Sequence, residues 1–99
     1  MKQLKILIVL SLILALFTGV APSEAASTVK VHIIDVGQGD SILIQTGNEN
    51  ILIDAGNKGT GDEVVAYLKK QKVKTLNAVV STHPDADHIG GLDEVIYAF

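Results

Sequence analysis

The sequence predicts an α+β fold in which helices pack against a mixed β-sheet. Two observations lead to this prediction. Three short segments rich in β-branched residues follow one another between glycine-containing turns, which is the pattern of consecutive strands. An amphipathic segment, a fourth apolar strand, a polar loop and a further helix then follow, so that the predicted order is β-β-β-α-β-loop-α.

The predicted strands are defined by apolar periodicity and by the turns between them. Residues 29–36 alternate at first and then become apolar, and the glycines of GQGD end them. Residues 41–46 and 51–54 flank the turn signal GNEN, which predicts a β-hairpin. Residues 76–82, with the sequence LNAVVST, predict a buried fourth strand.

Two helices are predicted after the hairpin. Residues 62–71 begin with two carboxylates and end near three lysines, which matches the charge preference of the two helix ends. Their apolar stripe consists of Val64, Val65 and Leu68. The second predicted helix, residues 92–99, follows two glycines.

Residues 1–25 have the three-part layout of a secretory signal peptide. Lys2 and Lys5 precede an apolar run, residues 6–17, and a segment with small residues follows it. We expect cleavage after Ala25, with Ala26 as the alternative position. An uncleaved membrane anchor is the competing interpretation, although the apolar segment is shorter than the ~20 residues of a spanning helix.

Cleavage would give a secreted or extracytoplasmic protein that has no stable membrane association. Residues 26–99 would then form the folded part, at a size where a single hydrophobic core is marginally stable. The chain has no cysteine, so no disulfide can stabilise it. The folded part has no arginine and no basic run, and its composition does not predict a polyanion-binding surface.

The loop after the fourth strand, STHPDADHIGGL, concentrates histidines and carboxylates at positions 83, 85, 87 and 88. Pro84 keeps the preceding residue out of helical geometry, so an extended loop is expected. In an extended loop His83, Asp85 and Asp87 fall on one side, and His88 could reach a neighbouring site. Such a loop could serve two metal ions. The alternative is a solvated surface turn without chemistry.

This loop resembles the first metal-binding motif of the metallo-β-lactamase superfamily, H-x-H-x-D-H, with Asp85 in place of the second histidine. The segments HIIDVGQGDSILIQ and ILIDAG resemble the strands and turns of one subgroup of that superfamily. The subgroup is found in the hydrolase domain of the bacterial competence DNA-uptake channel protein, and it commonly writes the motif H-x-D-x-D-H. The resemblance covers residues 29–99.

The resemblance implies a dinuclear site that uses a bridging hydroxide. His83 and Asp85 would bind the first metal ion, and Asp87 and His88 the second. Asp87 would also act in catalysis by orienting or deprotonating the bridging water. The two divalent ions are expected to be zinc or manganese. The carboxylate at position 85 hardens the site, which makes manganese or magnesium more plausible beside zinc and excludes none of them.

Two residues outside the motif have open roles, and a third is interpreted as structural. Asp40 and Asp54 are candidates for holding a ligand or the loop in place, and each is about as well explained as a turn residue. His32 lies within a strand and is interpreted as structural. The GQG segment lacks the lysine of a phosphate-binding loop, and we interpret it as a tight turn near the metals.

The resemblance also implies that residues 26–99 are the N-terminal half of an αββα sandwich and that downstream ligands are required. We therefore expect the chain to be part of an exported hydrolase, acting on nucleic acid or another phosphodiester, and to have little activity alone. A lactamase or thioesterase specificity is also open. A non-catalytic metal-binding or interaction remnant of a truncated gene is the alternative. Self-association through the uncovered sheet face is expected in either case.

Overall fold

The computed structural model describes residues 1–17, 19 and 27–99, and it confirms the α+β class. The strands are β1 (Lys30–Ile33), β2 (Ile42–Gln45), β3 (Asn50–Ile53) and β4 (Ala78–Val80). They form one sheet in the order β1-β2-β3-β4. The first three strands pair antiparallel, as the predicted hairpin requires, and β4 adds to β3 in parallel, which makes the sheet mixed.

The helices are α1 (Lys2–Phe17), α2 (Gly61–Lys70), α3 (Ala86–Ile89) and α4 (Leu92–Ala98). Helices α2 and α4 lie where the sequence predicts helices. The short helix α3 does not: the extended loop expected after the fourth strand is extended only as far as Asp85, and it then forms one helical turn. The backbone carbonyl of Asp85 begins this turn by accepting hydrogen bonds from the amides of His88 and Ile89, at 3.1 Å each.

One face of the sheet forms the hydrophobic core together with α2. Strand register places His32, Leu43, Leu52 and Val79 side by side on this face. Leu43 and Leu52 are fully buried, as are Val64 and Leu68 of α2. His32 has the structural role predicted for it here, because its Nδ1 lies 2.9 Å from the hydroxyl of Tyr67 on α2.

The opposite face of the sheet is apolar and largely uncovered. Register aligns two rows of aliphatic side chains across it, Val31–Ile44–Ile51–Ala78 and Ile33–Ile42–Ile53–Val80. Val31 and Ile33 have 61% and 75% of their surface exposed. The prediction that the fourth strand is buried is wrong, because β4 lies at the sheet edge and only Val79 is half-buried. Self-association through this face stays a prediction.

Helix α1 is apolar around its whole circumference, and none of its residues is buried. Across residues 1–17, 19 and 27–99, no helix is both long and apolar enough to cross a membrane. The predicted cleavage positions at Ala25 and Ala26 lie outside the described residues. The interpretation of residues 1–25 as a signal peptide therefore stays a prediction.

Candidate metal centre

The centre of the site is Asp54, the first residue after β3. Its side chain is almost completely buried, and its backbone has a positive φ of 57°. Its amide donates a hydrogen bond of 2.9 Å to the carbonyl of Val80 at the end of β4. The parallel pairing of β3 and β4 therefore brings the ends of both strands to this carboxylate.

Both oxygens of the Asp54 carboxylate accept hydrogen bonds. Oδ1 accepts one from the backbone amide of Thr82 at 2.9 Å, and Oδ2 accepts one from the Thr82 hydroxyl at 2.5 Å. The Nδ1 atom of His88 lies 3.2 Å from Oδ2. Burial raises the pKa of Asp54, but the Thr82 hydrogen bonds and His88 outweigh it, so the pKa lies below its ordinary value of 3.8.

These contacts determine which ring nitrogen of each histidine carries a proton. A carboxylate only accepts hydrogen bonds, so the Nδ1 of His88 must be the donor to Asp54. The Thr82 hydroxyl donates its one hydrogen to the same carboxylate. Its oxygen therefore accepts the 2.8 Å hydrogen bond from the Nδ1 of His83. In its neutral form, each imidazole therefore keeps its lone pair on Nε2.

Each Nε2 atom faces a carboxylate. The Nε2 of His83 lies 3.4 Å from Oδ2 of Asp85, and the Nε2 of His88 lies 3.6 Å from Oδ1 of Asp87. Two lone-pair atoms at this separation repel each other unless a proton or a cation lies between them. Ligand atoms on one tetrahedral zinc ion are roughly 3.3 Å apart, given metal–ligand distances of about 2.0–2.2 Å. The donor set and its spacing fit a divalent metal ion.

The two histidines are also close to each other, with ring centroids 3.9 Å apart. One ligand atom from each of Asp54, His83 and His88 lies within 4.8 Å of the others. All six site residues predicted from the sequence, Asp40, Asp54, His83, Asp85, Asp87 and His88, thus meet at one end of the sheet. Asp40 has an exposed side chain, and its Oδ2 is 3.5 Å from Nδ1 of His88.

The structure corrects how Asp87 reaches the cluster. The sequence predicted that His83, Asp85 and Asp87 share one side of an extended loop. Asp87 instead lies in α3, because the chain turns helical directly after Asp85. The turn places Asp87 beside His88, and the backbone of Asp87 packs against Gly39. A Cβ atom at Gly39 would lie 1.6 Å from the carbonyl oxygen of Asp87, and its φ of 97° also favours glycine.

Thr82 is the site residue that sequence reasoning did not single out. It connects the buried carboxylate to His83, and it also supplies a backbone amide to that carboxylate. The available signal was its place between the end of the fourth strand and the first histidine. That signal is weak, because Thr82 and Asp54 are 28 residues apart and their contact depends on the pairing of β3 with β4.

We predict that Thr82→Val destabilises the metal-free chain by about 1–3 kcal/mol at neutral pH, because the buried carboxylate loses a donor. Ionised Asp54 stabilises the fold above its unfolded pKa, and this contribution is lost as the pH falls through its lower folded pKa. The difference between wild type and variant should therefore shrink below about pH 4. Urea unfolding at several pH values, in a metal chelator, measures it.

Thr82→Ser is the matched control, because it keeps the hydroxyl, and it should cost less than Thr82→Val. An equal loss of stability at pH 3 and pH 7 would show that Thr82 acts through packing and not through the ionised carboxylate.

Comparison with known proteins places this site in a family. Residues 34–99 match the family described as the metallo-beta-lactamase superfamily. Competence protein ComA of Neisseria gonorrhoeae is 38% identical over 77 residues, which are 77% of this chain and 11% of that protein. Recombination protein 2 of Haemophilus influenzae is 32% identical over 77 residues, covering 73% of the chain and 10% of that protein.

A probable cleavage and polyadenylation specificity factor subunit 2 of Drosophila melanogaster is 33% identical over 73 residues, 71% of this chain and 10% of that protein. The chain thus spans about a tenth of the length of the curated relatives it matches. The family match covers two thirds of the chain, and it includes β2, β3, β4 and every residue of the cluster. The chain belongs to the metallo-beta-lactamase superfamily.

Proposed function

We propose that the chain is part of an exported, metal-dependent hydrolase of phosphodiester bonds. The observation that carries the proposal is the hydrogen-bonded chain from Asp54 through Thr82 to His83, together with the direct contact of Asp54 with His88. It leaves both Nε2 lone pairs beside carboxylates. Metal-binding histidines commonly donate their other ring proton to a carboxylate in this way.

In this proposal His83 and Asp85 would hold one divalent ion, zinc or manganese, and Asp87 and His88 would hold the second. Asp54 positions the histidines, because both its oxygens already accept hydrogen bonds. The bound ions would lower the pKa of water and neutralise charge on a phosphoryl group. The Asp87 carboxylate would also orient the attacking water or accept its proton.

The choice of substrate is supported by the relatives. Their names refer to competence, recombination, and cleavage and polyadenylation. These names suggest that the substrate is a nucleic acid. The bonds that a hydrolase would cut in a nucleic-acid backbone are phosphodiester bonds. A dinuclear site is suited to such bonds, because two ions can stabilise both the attacking and the leaving oxygen.

Export belongs to the proposal as well. Lys2 and Lys5 begin α1, and the apolar residues that follow them are exposed, as expected of a leader that does not pack on the domain. The leader would be removed and the domain released without stable membrane association.

N-terminal sequencing of the exported product should find Ala26 or Ser27 first, whereas retention of Met1 would support an anchor.

We predict that His83→Ala and His88→Ala each lower the affinity of the chain for zinc or manganese at least 100-fold, because each removes a ligand. Asp54→Asn should lower it by about 10–100-fold, because the histidines lose the carboxylate that orients them. Isothermal titration of the metal-free chain measures each affinity.

His32→Ala is the matched control. It removes the third histidine of the chain, which contacts Tyr67 on α2 and not the cluster. Metal affinity should stay within about two-fold of wild type in this variant. A loss as large as that of His88→Ala would refute the proposed site.

We further predict that bis-p-nitrophenyl phosphate and single-stranded DNA are hydrolysed, with added manganese or zinc, when the coding sequence downstream of residue 99 is included. The 99-residue chain should bind metal with little turnover, because four ligands do not complete two ions. His88→Ala should abolish turnover. Hydrolysis of a β-lactam or a thioester instead would contradict the phosphodiester specificity, and turnover by the short chain would contradict the need for further ligands.

A further inference from the structure

We infer that a lysine-lined cavity at the opposite end of the sheet binds a phosphate group. The cavity has a volume of about 440 Å³ and lies beside the start of β1, the end of β2 and the end of α2. Its lining residues are Thr28, Lys30, Gln45, Thr46, Gly47, Lys70, Gln71 and Lys72. The histidine–aspartate cluster of the candidate metal centre follows the other end of β3, a strand about 10 Å long.

The charge of the cavity is opposite to that of the chain. Three lysines line it and no acidic residue does, although the chain has a net charge of −3. Within the described part of the chain every ion pair involves a histidine, so Lys30, Lys70 and Lys72 have no carboxylate partner there. The fold thus assembles a cationic site from lysines up to 42 positions apart, which composition and runs of charge did not predict.

The neutral groups of the lining suit an anion as well. The Oγ1 atom of Thr46 accepts hydrogen bonds from the amides of Asn48 and Glu49, which leaves its own hydrogen free to be donated. The Nε2 atom of Gln45 donates to Oδ1 of Asn50 at 3.1 Å and to the carbonyl of Gln71 at 3.4 Å. These bonds tie the end of α2 to the sheet and fix the cavity wall.

Lys72 occupies a backbone conformation that favours glycine. Its φ is 62°. The amide of Lys72 donates to the carbonyl of Lys69, and the amide of Val73 donates to the carbonyl of Leu68, both at 3.0 Å. This is the Schellman ending of a helix, and its left-handed position is usually occupied by glycine. A lysine here costs stability, and it adds an ammonium group to the cavity.

Phosphate is the ligand class that this site fits. Lysine binds it as a compact point charge, and hydroxyl and ammonium donors surround its oxygens. The phosphate could be free or could belong to a nucleic-acid backbone. The inference does not depend on the proposed hydrolase activity, because no residue that lines the cavity belongs to the candidate metal centre.

The test is a titration of the purified 99-residue chain with inorganic phosphate, in nonionic detergent and a metal chelator at low ionic strength. Amide NMR shifts of Gly47 and Gln71 report binding. We expect saturable shifts with a Kd of about 1 mM. Lys70→Gln and Lys72→Gly should each weaken binding about ten-fold. Lys72→Gly should do so without lowering the Tm, because glycine relieves the strained backbone.

Lys69→Gln and Lys74→Gln are the matched controls, because both residues are exposed lysines near the end of α2 that do not line the cavity. Their affinities should stay within two-fold of wild type. Absence of saturable shifts, or equal weakening in the controls, would overturn the inference. An oligothymidylate that binds at least ten-fold tighter through the same lysines would identify a polynucleotide backbone as the source, and equal or weaker binding would identify free phosphate.

Discussion

The buried carboxylate of Asp54 is the constraint on which the rest of the site depends. A charge removed from water is tolerated only when hydrogen bonds and opposite charges compensate for the lost solvation. Asp54 obtains this compensation from Thr82, through its amide and hydroxyl, and from His88. These partners come from the end of β4 and from α3. The same bonds that satisfy the carboxylate therefore hold the strand end and the motif loop together, and they fix the proton of each imidazole on Nδ1.

The backbone near the cluster has little room for side chains at its glycine positions. The motif loop, residues 81–92, lies close against the turn after β1 and the loop after β3. Gly39 touches the backbone of Asp87, and a Cβ at Gly91 would lie 2.3 Å from the carbonyl oxygen of Ala55. A side chain at either glycine would push the loop outward. Close packing of the motif loop against these two loops and hydrogen bonding at Asp54 thus occur together at this end of the sheet.

Periodicity and turn chemistry predicted the order of strands and helices, because those signals are local. The helix from Gly61 to Lys70 was recognisable from its charged ends and its apolar stripe. Helix α3 was not, since its four residues are too few to show a periodicity, and Pro84 indicated an extended loop. The sequence indicated the role of Asp54 only in part, and it did not single out Thr82. A carboxylate before a glycine turn is explained equally well as a turn residue and as a residue that positions a ligand. The contact of Asp54 with Thr82 forms only because β3 and β4 pair in parallel.

The sheet also separates charge along its strands. Four carboxylates, Asp40, Asp54, Asp85 and Asp87, gather around two histidines after the ends of β3 and β4, whereas three lysines surround the cavity at the opposite end. Strands of only three or four residues separate the two ends by about 10 Å of backbone, close to the Debye length at physiological ionic strength. Each end therefore retains its own local potential. In the proposals made above, the acidic end would attract divalent cations and the basic end would attract phosphate groups. A polyanion bound at the lysines would be held near the cluster without having to displace the metal ligands.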